Sequence, residues 1–120
     1  MSGSALIVDD SKFMHLILEE ILEKMGYKTI SAYNGEEAIN SYIENEPDLI
    51  TLDINLPDID GLQVIKSIKE IDSNSKVVMC TALNQDKFID KSIKLGANGF
   101  IAKPFTEDKF VNVINDAVRK

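Results

Sequence analysis

Residues 50–61 read I-T-L-D-I-N-L-P-D-I-D-G, and the interpretation of the whole chain depends on this stretch. An apolar run of β type stops on Asp53, and a loop with a proline, further acids and Gly61 follows. Residues that favour turns usually end a strand, so a carboxylate at this point has two explanations. Either the acid only ends the strand, or the strand presents a functional acid. The rest of the chain distinguishes between them.

The composition is that of one globular domain. The chain has 120 residues, 44% of them hydrophobic and 28% charged, which is enough for a single buried core. A formal net charge of −7 argues against a nucleic-acid-binding module, because phosphate backbones are bound by clustered Lys and Arg. No apolar stretch approaches the roughly 18 residues of a membrane span, and no signal-peptide pattern is present. We therefore predict a cytoplasmic protein without membrane contact, with residues 1–120 as one domain.

Five β-type runs alternate with helical patterns along the chain. The runs are A-L-I-V at 5–8, Y-K-T-I-S-A at 27–32, D-L-I-T-L-D at 48–53, K-V-V-M-C-T at 76–81 and G-F-I-A at 99–102. Between them, apolar residues recur at three- and four-residue spacing, as on the buried face of a helix. Such alternation with short loops is typical of a parallel sheet with helices on both faces. The prediction is an α/β fold with a doubly wound, five-stranded parallel sheet.

Capping residues and apolar spacing place the helices more closely. Residues that can cap a helix precede the first, second and last of them: Ser11 or Asp10, Asn34, and Thr106. The spacing predicts buried faces formed by Phe13, Met14, Ile17, Leu18, Ile21, Leu22 and Met25 in the first helix, and by Ala38, Ile39, Tyr42 and Ile43 in the second. His15, between inward positions, is expected at or near the surface, and Cys80 in the core.

Polar side chains stand at the carboxyl ends of four of the five predicted strands. They are Asp9 and Asp10 after the first strand, Asp53 on the third, Thr81 on the fourth and Lys103 after the fifth. In an open parallel sheet, ligands bind beyond these ends, where the strand order reverses. A single polar residue there usually does no more than end a strand, but several that converge in space favour a site.

The residue types at this edge suit phosphoryl transfer. Neighbouring carboxylates repel and raise one another's pKa unless a cation lies between them. Mg²⁺ prefers one or two carboxylates together with a phosphate oxygen. Lys103 supplies a positive charge, and the Thr81 hydroxyl can donate to an anionic oxygen. Since carboxylates are known phosphoryl nucleophiles, one of the aspartates is a candidate acceptor.

Four segments together resemble the receiver domains of two-component response regulators. They are V-D-D at 8–10, L-D-I-N-L-P-D-I-D-G at 52–61, C-T-A at 80–82 and G-F-I-A-K-P-F at 99–105. Each segment is a weak signal alone, whereas their order and spacing are highly specific, and the resemblance covers essentially the whole chain. It implies a flavodoxin-like fold with strand order 2-1-3-4-5, as in stand-alone CheY-like members of the family.

The same resemblance implies the chemistry of the site. It makes Asp53 the phosphoacceptor and Lys103 the residue that contacts the phosphoryl group, with a cis peptide bond between Lys103 and Pro104. The Mg²⁺ ligands are then Asp9, Asp10, Asp53 and the backbone carbonyl of Asn55. A histidine kinase is the implied phosphodonor. The domain would catalyse only its own phosphorylation and dephosphorylation, and would not otherwise be an enzyme.

The resemblance assigns the response to Thr81 and Phe100. Thr81 is similar to the family's switch hydroxyl, and Phe100 to the switch aromatic that turns inward as the hydroxyl moves. Leu83 occupies a position that tunes dephosphorylation in the family. A monomer would then bind a downstream motor, switch or adaptor protein through the face formed by the fourth helix, fifth strand and fifth helix. Chemotaxis or motility is the implied output, and a phosphorelay is the alternative.

Other chemistries fit the central loop less well. In a calcium loop that begins at Asp53, the sixth residue should be Gly and the twelfth Glu, but these are Asp58 and Val64. A haloacid-dehalogenase-type phosphatase also phosphorylates an Asp at a strand end, but Asn55 stands where its acid/base Asp is needed. Asp58 and Asp60 are expected to shape the loop after Asp53, with a role in metal binding as the second possibility. A binding module with chemically idle acids is a third possibility, which an absence of Mg²⁺ binding would favour.

Overall fold

The computed structural model describes residues 3–82 and 86–119, with the side chain of residue 86 left out. The strands are β1 (Ser4–Val8), β2 (Lys28–Ala32), β3 (Leu49–Asp53), β4 (Val77–Ala82) and β5 (Gly99–Lys103). The helices are α1 (Lys12–Lys24), α2 (Gly35–Asn45), α3 (Gly61–Ile71), α4 (Asp86–Lys94) and α5 (Glu107–Arg119). The alternation of strands and helices predicted from the sequence is confirmed. No helix within these ranges is long and apolar enough to cross a membrane.

Neighbouring strands run parallel in the order β2-β1-β3-β4-β5, as predicted. The chain passes from β1 outward to β2 and then returns past β1 to β3, so the strand order reverses between β1 and β3. Val8 at the end of β1 pairs with Leu52 of β3. The next residues along the two strands, Asp9 and Asp53, therefore stand side by side at the carboxyl edge of the sheet. This is the edge at which open parallel sheets bind ligands.

Helices cover both faces of the sheet, which explains why the inner strands β1, β3 and β4 are largely apolar runs without polar alternation. Alternate residues of β1 illustrate this, because Ala5 and Ile7 pack in one hydrophobic cluster while Leu6 and Val8 pack in the other. The first cluster contains the inner faces of α1 and α5, and the second contains those of α2 and α3. The strands beneath the carboxyl edge are therefore packed between two hydrophobic layers.

The predicted caps lie where the sequence indicates. The Ser11 hydroxyl accepts a hydrogen bond from the N–H three residues further on at 3.3 Å, which decides between Ser11 and Asp10. Asn34 and Thr106 accept from the equivalent N–H groups of α2 and α5 at 2.8 and 3.2 Å. These contacts satisfy N–H groups that have no partner within the helix, and so fix where each helix begins.

Two residues predicted to be buried are exposed. Phe13 in α1 is 69% exposed and Ile43 in α2 is 58% exposed, so both predictions are wrong. Each residue lies five positions from a buried one, Leu18 and Ala38 respectively. At about 100° per residue, five positions amount to about 140° around the helix axis, which points a side chain away from the core.

His15 shows the opposite error, and Cys80 agrees with its prediction. His15 was expected at or near the surface but is 2% exposed. It precedes the buried Leu18 by three residues, so it lies on the buried side of α1, and this spacing is the signal that could have identified it. Cys80 is buried in β4, and burial raises the pKa of its thiol to about 12. That thiol is a core group.

Candidate functional site

Three carboxylates meet at the carboxyl edge of the sheet. Asp9 and Asp10 directly follow β1, Asp53 ends β3, and one oxygen from each of the three lies within 4.8 Å of the others. Asp9 is 2% exposed and Asp53 is 6% exposed, while Asp10 is open to solvent. The sheet topology thus brings together the acids that the sequence placed at strand ends. Two of them are buried, and the third faces the exterior.

Each polar group of Asp9 has a hydrogen-bond partner. Its Oδ1 accepts from the Ser11 N–H at 2.9 Å, and its Oδ2 accepts from the Lys103 ammonium at 2.7 Å. Its backbone N–H donates to the Ala32 carbonyl at 3.2 Å, and its own carbonyl oxygen lies 2.7 Å from His15 Nε2. A buried carboxylate needs such partners because its water has been removed. The position of Asp9 is therefore closely determined.

Asp53 has fewer fixed partners. Its Oδ1 accepts from the Asn55 N–H at 3.2 Å, and its Oδ2 lies 3.4 Å from the Lys103 ammonium. Burial raises the pKa of the Asp53 carboxyl; the Lys103 charge and the Asn55 N–H oppose this, nearby Asp9 adds to it, and the net shift is upward. The surroundings of Asp53 therefore stabilise its negative charge less well than water stabilises that of an ordinary surface carboxylate.

Lys103 is the cation of the cluster. Burial alone would lower the pKa of its ammonium, but the hydrogen bond to Asp9 and the charge of Asp53 outweigh that effect, and the pKa is raised. The ammonium stays protonated between the two buried acids. In the part of the chain that the structure describes, one ammonium pairs with two of the three carboxylates, so the cluster has an excess of negative charge and of hard oxygen donors. Such a donor set fits a divalent cation of the Mg²⁺ type.

Thr81 and Phe100 lie on the neighbouring strands β4 and β5. Thr81 is fully buried, and its hydroxyl has a long 3.5 Å contact with the carbonyl oxygen of Ala82. Phe100 is 43% exposed and lines a groove of about 290 Å³ together with Ile93 and Val113. Asp9 and Asp53 are thus in direct contact with Lys103, while Thr81 and Phe100 have no hydrogen bond or ion pair to these acids among the described residues. Leu83 lies outside the described residues.

Asp58 connects the loop after β3 to a different helix. Its two carboxylate oxygens accept from the N–H groups of Gly35 and Glu36 at 2.8 and 2.9 Å, at the start of α2. These hydrogen bonds lower the pKa of Asp58. A carboxylate is stabilising at a helix N-terminus because of its free N–H groups and dipole. The predicted loop-shaping role of Asp58 is confirmed.

Gly61 and Asp60 fix the other end of that loop. A Cβ at Gly61 would lie 2.4 Å from the Asp53 carbonyl oxygen, which is too close for a Cβ atom. Only glycine, which has no Cβ, therefore fits at this position. The Gly61 N–H donates to the Ile54 carbonyl at 2.8 Å, and Asp60 caps α3 through the Gln63 N–H at 2.9 Å. The loop therefore turns back tightly on the strand that presents Asp53. The Lys103-Pro104 peptide bond on the opposite side of the site is cis.

Comparison with known proteins agrees with this geometry. The family model described as response regulator receiver domain matches residues 5–115. The chain is 40% identical to the chemotaxis protein CheY of Bacillus subtilis (strain 168) over 116 residues, which are 96% of this chain and 97% of that protein. It is 39% identical to the sporulation initiation phosphotransferase F of the same organism over 120 residues, which are 100% of this chain and 94% of that protein.

A solved structure gives the same result in three dimensions. The chain is similar to the structure of a CheX-CheY-BeF3-Mg+2 complex from Borrelia burgdorferi, with a TM-score of 0.89 and 34% identity. The match covers 94% of this chain and 86% of that one. The family model over residues 5–115, the identity to CheY and the shared fold together show that this chain belongs to the response regulator receiver domain family, as a CheY-like member.

Proposed function

We propose that this domain accepts a phosphoryl group from a histidine kinase onto Asp53 and then changes its affinity for a downstream protein. The observation that carries the proposal is the convergence of Asp9, Asp10 and Asp53 within 4.8 Å of one another beside the Lys103 ammonium. Membership of the receiver family supports phosphorylation-based signalling. The domain catalyses its own phosphorylation and dephosphorylation and acts on no separate substrate.

Mg²⁺ is the cofactor that we propose for the acidic cluster. Asp9, Asp10 and Asp53 would hold it, with the backbone carbonyl of Asn55 as the further ligand implied by the family resemblance. Bound there, Mg²⁺ supplies positive charge that stabilises the charge developing on the phosphoryl oxygens. The excess of carboxylates over ammonium groups in the cluster supports this choice. The hard oxygen donors also favour it over a softer metal.

The phosphoryl transfer itself needs little from the protein beyond position and charge. A carboxylate oxygen of Asp53 attacks the phosphorus of phosphohistidine, an O–P bond forms, and the P–N bond breaks with its electron pair left on the imidazole nitrogen. Lys103 already lies 3.4 Å from Asp53 Oδ2 and can bind the incoming oxygens without a large movement. Ser11 and Lys103 keep Asp9 in place during the step.

The acyl phosphate would act on the response residues through its oxygens. It adds negative charge and strong acceptors at Asp53. The Thr81 hydroxyl is held by a contact at the outer limit of hydrogen bonding, so exchanging that contact for a phosphoryl oxygen costs little. Binding that is tighter in one of two conformations shifts the population toward it. Phe100, half-exposed beside the groove between α4, β5 and α5, is the aromatic side chain that would turn inward.

The downstream partner is proposed to bind the α4–β5–α5 face. Apolar side chains line the groove there, and Ile93 and Phe100 are 52% and 43% exposed. We propose chemotaxis or motility in the cytoplasm as the output, with a monomer as the binding form, and the identity to the Bacillus subtilis CheY supports this output. A phosphorelay is the second candidate, because the identity to the sporulation initiation phosphotransferase F is nearly as high.

An intact-mass time course with Mg²⁺ and a small acyl-phosphate donor tests the chemistry. We expect one phosphoryl adduct on the wild type and none on Asp53→Asn. Asp60→Asn is the matched control, since Asn caps a helix as well as Asp and the change lies outside the cluster. An adduct on Asp53→Asn would contradict the assignment of the acceptor. If the wild type forms no adduct and binds no Mg²⁺, the chain is a binding module with idle acids.

A further inference from the structure

His15 is a buried polar residue for which the proposed phosphorylation has no role. It lies in α1, is 2% exposed, and is the single histidine of the chain. Burying an imidazole destabilises the folded protein unless both of its nitrogens have hydrogen-bond partners. Both nitrogens of His15 do have partners, and one of these partners is the main chain of Asp9. This links a residue outside the acidic cluster to the loop that carries two of its acids.

The contact to Asp9 has a defined direction. His15 Nε2 lies 2.7 Å from the Asp9 carbonyl oxygen, a short distance for this type of bond. A carbonyl oxygen can only accept, so Nε2 carries the hydrogen and donates it. Asp9 is itself 2% exposed, which leaves little water to replace the imidazole as a donor. The His15 ring therefore satisfies a buried main-chain acceptor of the acidic cluster.

The orientation of the ring is fixed from its other side. His15 Nδ1 lies 3.1 Å from the Ser31 hydroxyl, which in turn lies 3.3 Å from a carboxylate oxygen of Glu19. The ring also packs against that of Tyr33, with centroids 4.2 Å apart and an angle of 31° between the planes. Ser31 in β2 and Tyr33, which directly follows β2, thus hold the imidazole against the loop after β1. Such support is what a positioning side chain requires.

The geometry points to His15 as a positioning residue that sets the Asp9-Asp10 loop for divalent-cation binding. The Asp9 carbonyl and the Asp10 N–H belong to one planar peptide group. Without the imidazole donor, this group would rotate to find another partner, because an unpaired buried carbonyl is costly. The rotation would move the Cα atom from which the Asp10 side chain projects. It would also change the contact between the Asp9 carboxylate and the Lys103 ammonium. The inference rests on the proposed function, because it assigns His15 to the same cation site.

Two substitutions distinguish the hydrogen-bond donor at Nε2 from the other contributions of the His15 ring. His15→Gln places an amide N–H near the position of Nε2, whereas His15→Asn places it near Nδ1, where it can reach Ser31 but not Asp9. We expect Mg²⁺ affinity, measured by calorimetric titration, to fall by about 10-fold or more in His15→Asn, the usual size for loss of a group that orients a ligand. His15→Gln should retain most of the wild-type affinity. Equal affinity in both variants would overturn the proposal.

Ser31→Ala and a stability measurement control for a merely structural role. Ser31→Ala removes the Nδ1 partner and leaves the donation to Asp9, so we expect its Mg²⁺ affinity to stay near that of the wild type. Urea midpoints of all variants without Mg²⁺ show which of them fold equally well. If Mg²⁺ affinity follows these midpoints and not the presence of the Nε2-type donor, the positioning role is wrong.

A measurement on the wild type does not depend on any variant folding. Nitrogen-15 NMR of the imidazole identifies which nitrogen carries the hydrogen, and we expect the Nε2–H form with a slowly exchanging proton. A neutral ring with hydrogen on Nδ1 alone would overturn the assignment. If the wild type binds no Mg²⁺, the proposed function fails, and amide exchange at Asp10 then decides on His15. Faster exchange in His15→Asn than in His15→Gln supports the role, and equal exchange refutes it.

Discussion

The two sides of the carboxyl edge are held very differently. On the β1–β3 side, Asp9 has a partner for its N–H, its carbonyl and both carboxylate oxygens, at 2.7 to 3.2 Å. On the β4–β5 side, the Thr81 hydroxyl has a 3.5 Å contact with its neighbouring residue, and Phe100 is 43% exposed. We call these the acid side and the response side. Lys103 belongs to β5 but contacts the acids, so it links the two.

The difference matches what each side must do under the proposed function. A site that positions a cation and a phosphoryl group needs ligands fixed to fractions of an ångström. A conformational response needs groups that can exchange one set of contacts for another of nearly equal free energy. The acid side has the first property, and the response side has the second. Changes on the acid side should therefore alter stability and chemistry, whereas truncation of the exposed Phe100 on the response side should alter the response and leave both nearly unchanged.

Among the variants of the site residues, Lys103→Met is expected to have the largest effect on stability. The substitution leaves Asp9 and Asp53 buried without their cation, and such a loss costs about 3 kcal/mol of unfolding free energy or more. Urea denaturation in EDTA at pH 7 measures it. Added Mg²⁺ should restore part of the loss, because a cation again lies among the carboxylates.

Lys24→Met is the matched control for this prediction. Lys24 pairs with Glu20 and Glu107 at 3.7 and 3.4 Å, but its side chain is 57% exposed. Exposed pairs contribute about 1 kcal/mol at most, so this variant should unfold near the wild-type midpoint. Equal midpoints for Lys103→Met and Lys24→Met in EDTA would show that the acid side does not depend on its ammonium.

The sequence predicted the residues of the acid side better than the contacts that hold them in place. Strand-end position alone located Asp9, Asp53 and Lys103, because a parallel sheet brings every carboxyl end to one edge. The strand order that makes Asp9 and Asp53 neighbours came from the family resemblance, since residue patterns do not encode which strands pair. The structure confirms that order and the caps.

Polar contacts between a loop and a helix could not be predicted from the sequence. The link from His15 to Asp9 joins residues only six positions apart, but it depends on how the first turn of α1 lies beside the loop after β1. The link from Asp58 to α2 joins residues 22 and 23 positions apart. Neither follows from periodicity, which reports only which side of an element is apolar. Phe13 was misplaced for a related reason, because it lies at the margin of the apolar pattern and not on the buried stripe.

Asp53→Asn should stabilise the protein in EDTA, and the gain should depend on pH. Because the folded-state pKa of Asp53 is raised, the stability that comes with a neutral side chain is present below the ordinary value of 3.8 and is lost as pH rises through the folded-state pKa. Asn stays neutral at every pH and avoids the loss. We therefore expect a higher urea midpoint than wild type at pH 7, with a difference that shrinks toward pH 4.

Asp58→Asn provides the opposite sign on the same loop. The pKa of Asp58 is lowered by the N–H groups of Gly35 and Glu36, so its contribution is present above 3.8 and is lost as pH falls. This variant should have a lower midpoint than wild type at pH 7 and approach it in acid. If both variants lower the midpoint at pH 7, the burial of Asp53 does not disfavour its charge. If both raise it, the N–H groups of Gly35 and Glu36 do not stabilise the Asp58 carboxylate.

Among the variants of the site residues, Phe100→Ala is expected to have the smallest effect on stability. Its ring is 43% exposed, so truncation removes little buried area and should change the unfolding free energy by about 1 kcal/mol or less. Phe110→Ala is the control for the same change of side chain, because its ring is fully buried and stacked at 5.2 Å on Phe105. That substitution should cost about 3–5 kcal/mol in the same urea experiment.

The phosphoryl adduct should form on Phe100→Ala at the wild-type rate, while the response at the α4–β5–α5 face is lost. Intact mass measures the first, and amide chemical-shift changes in α4 and α5 on addition of the acyl-phosphate donor measure the second. A response of wild-type size without the ring would show that Phe100 does not report phosphorylation. A large loss of stability or of adduct would show instead that the response side supports the acids, and the two sides would then form one unit.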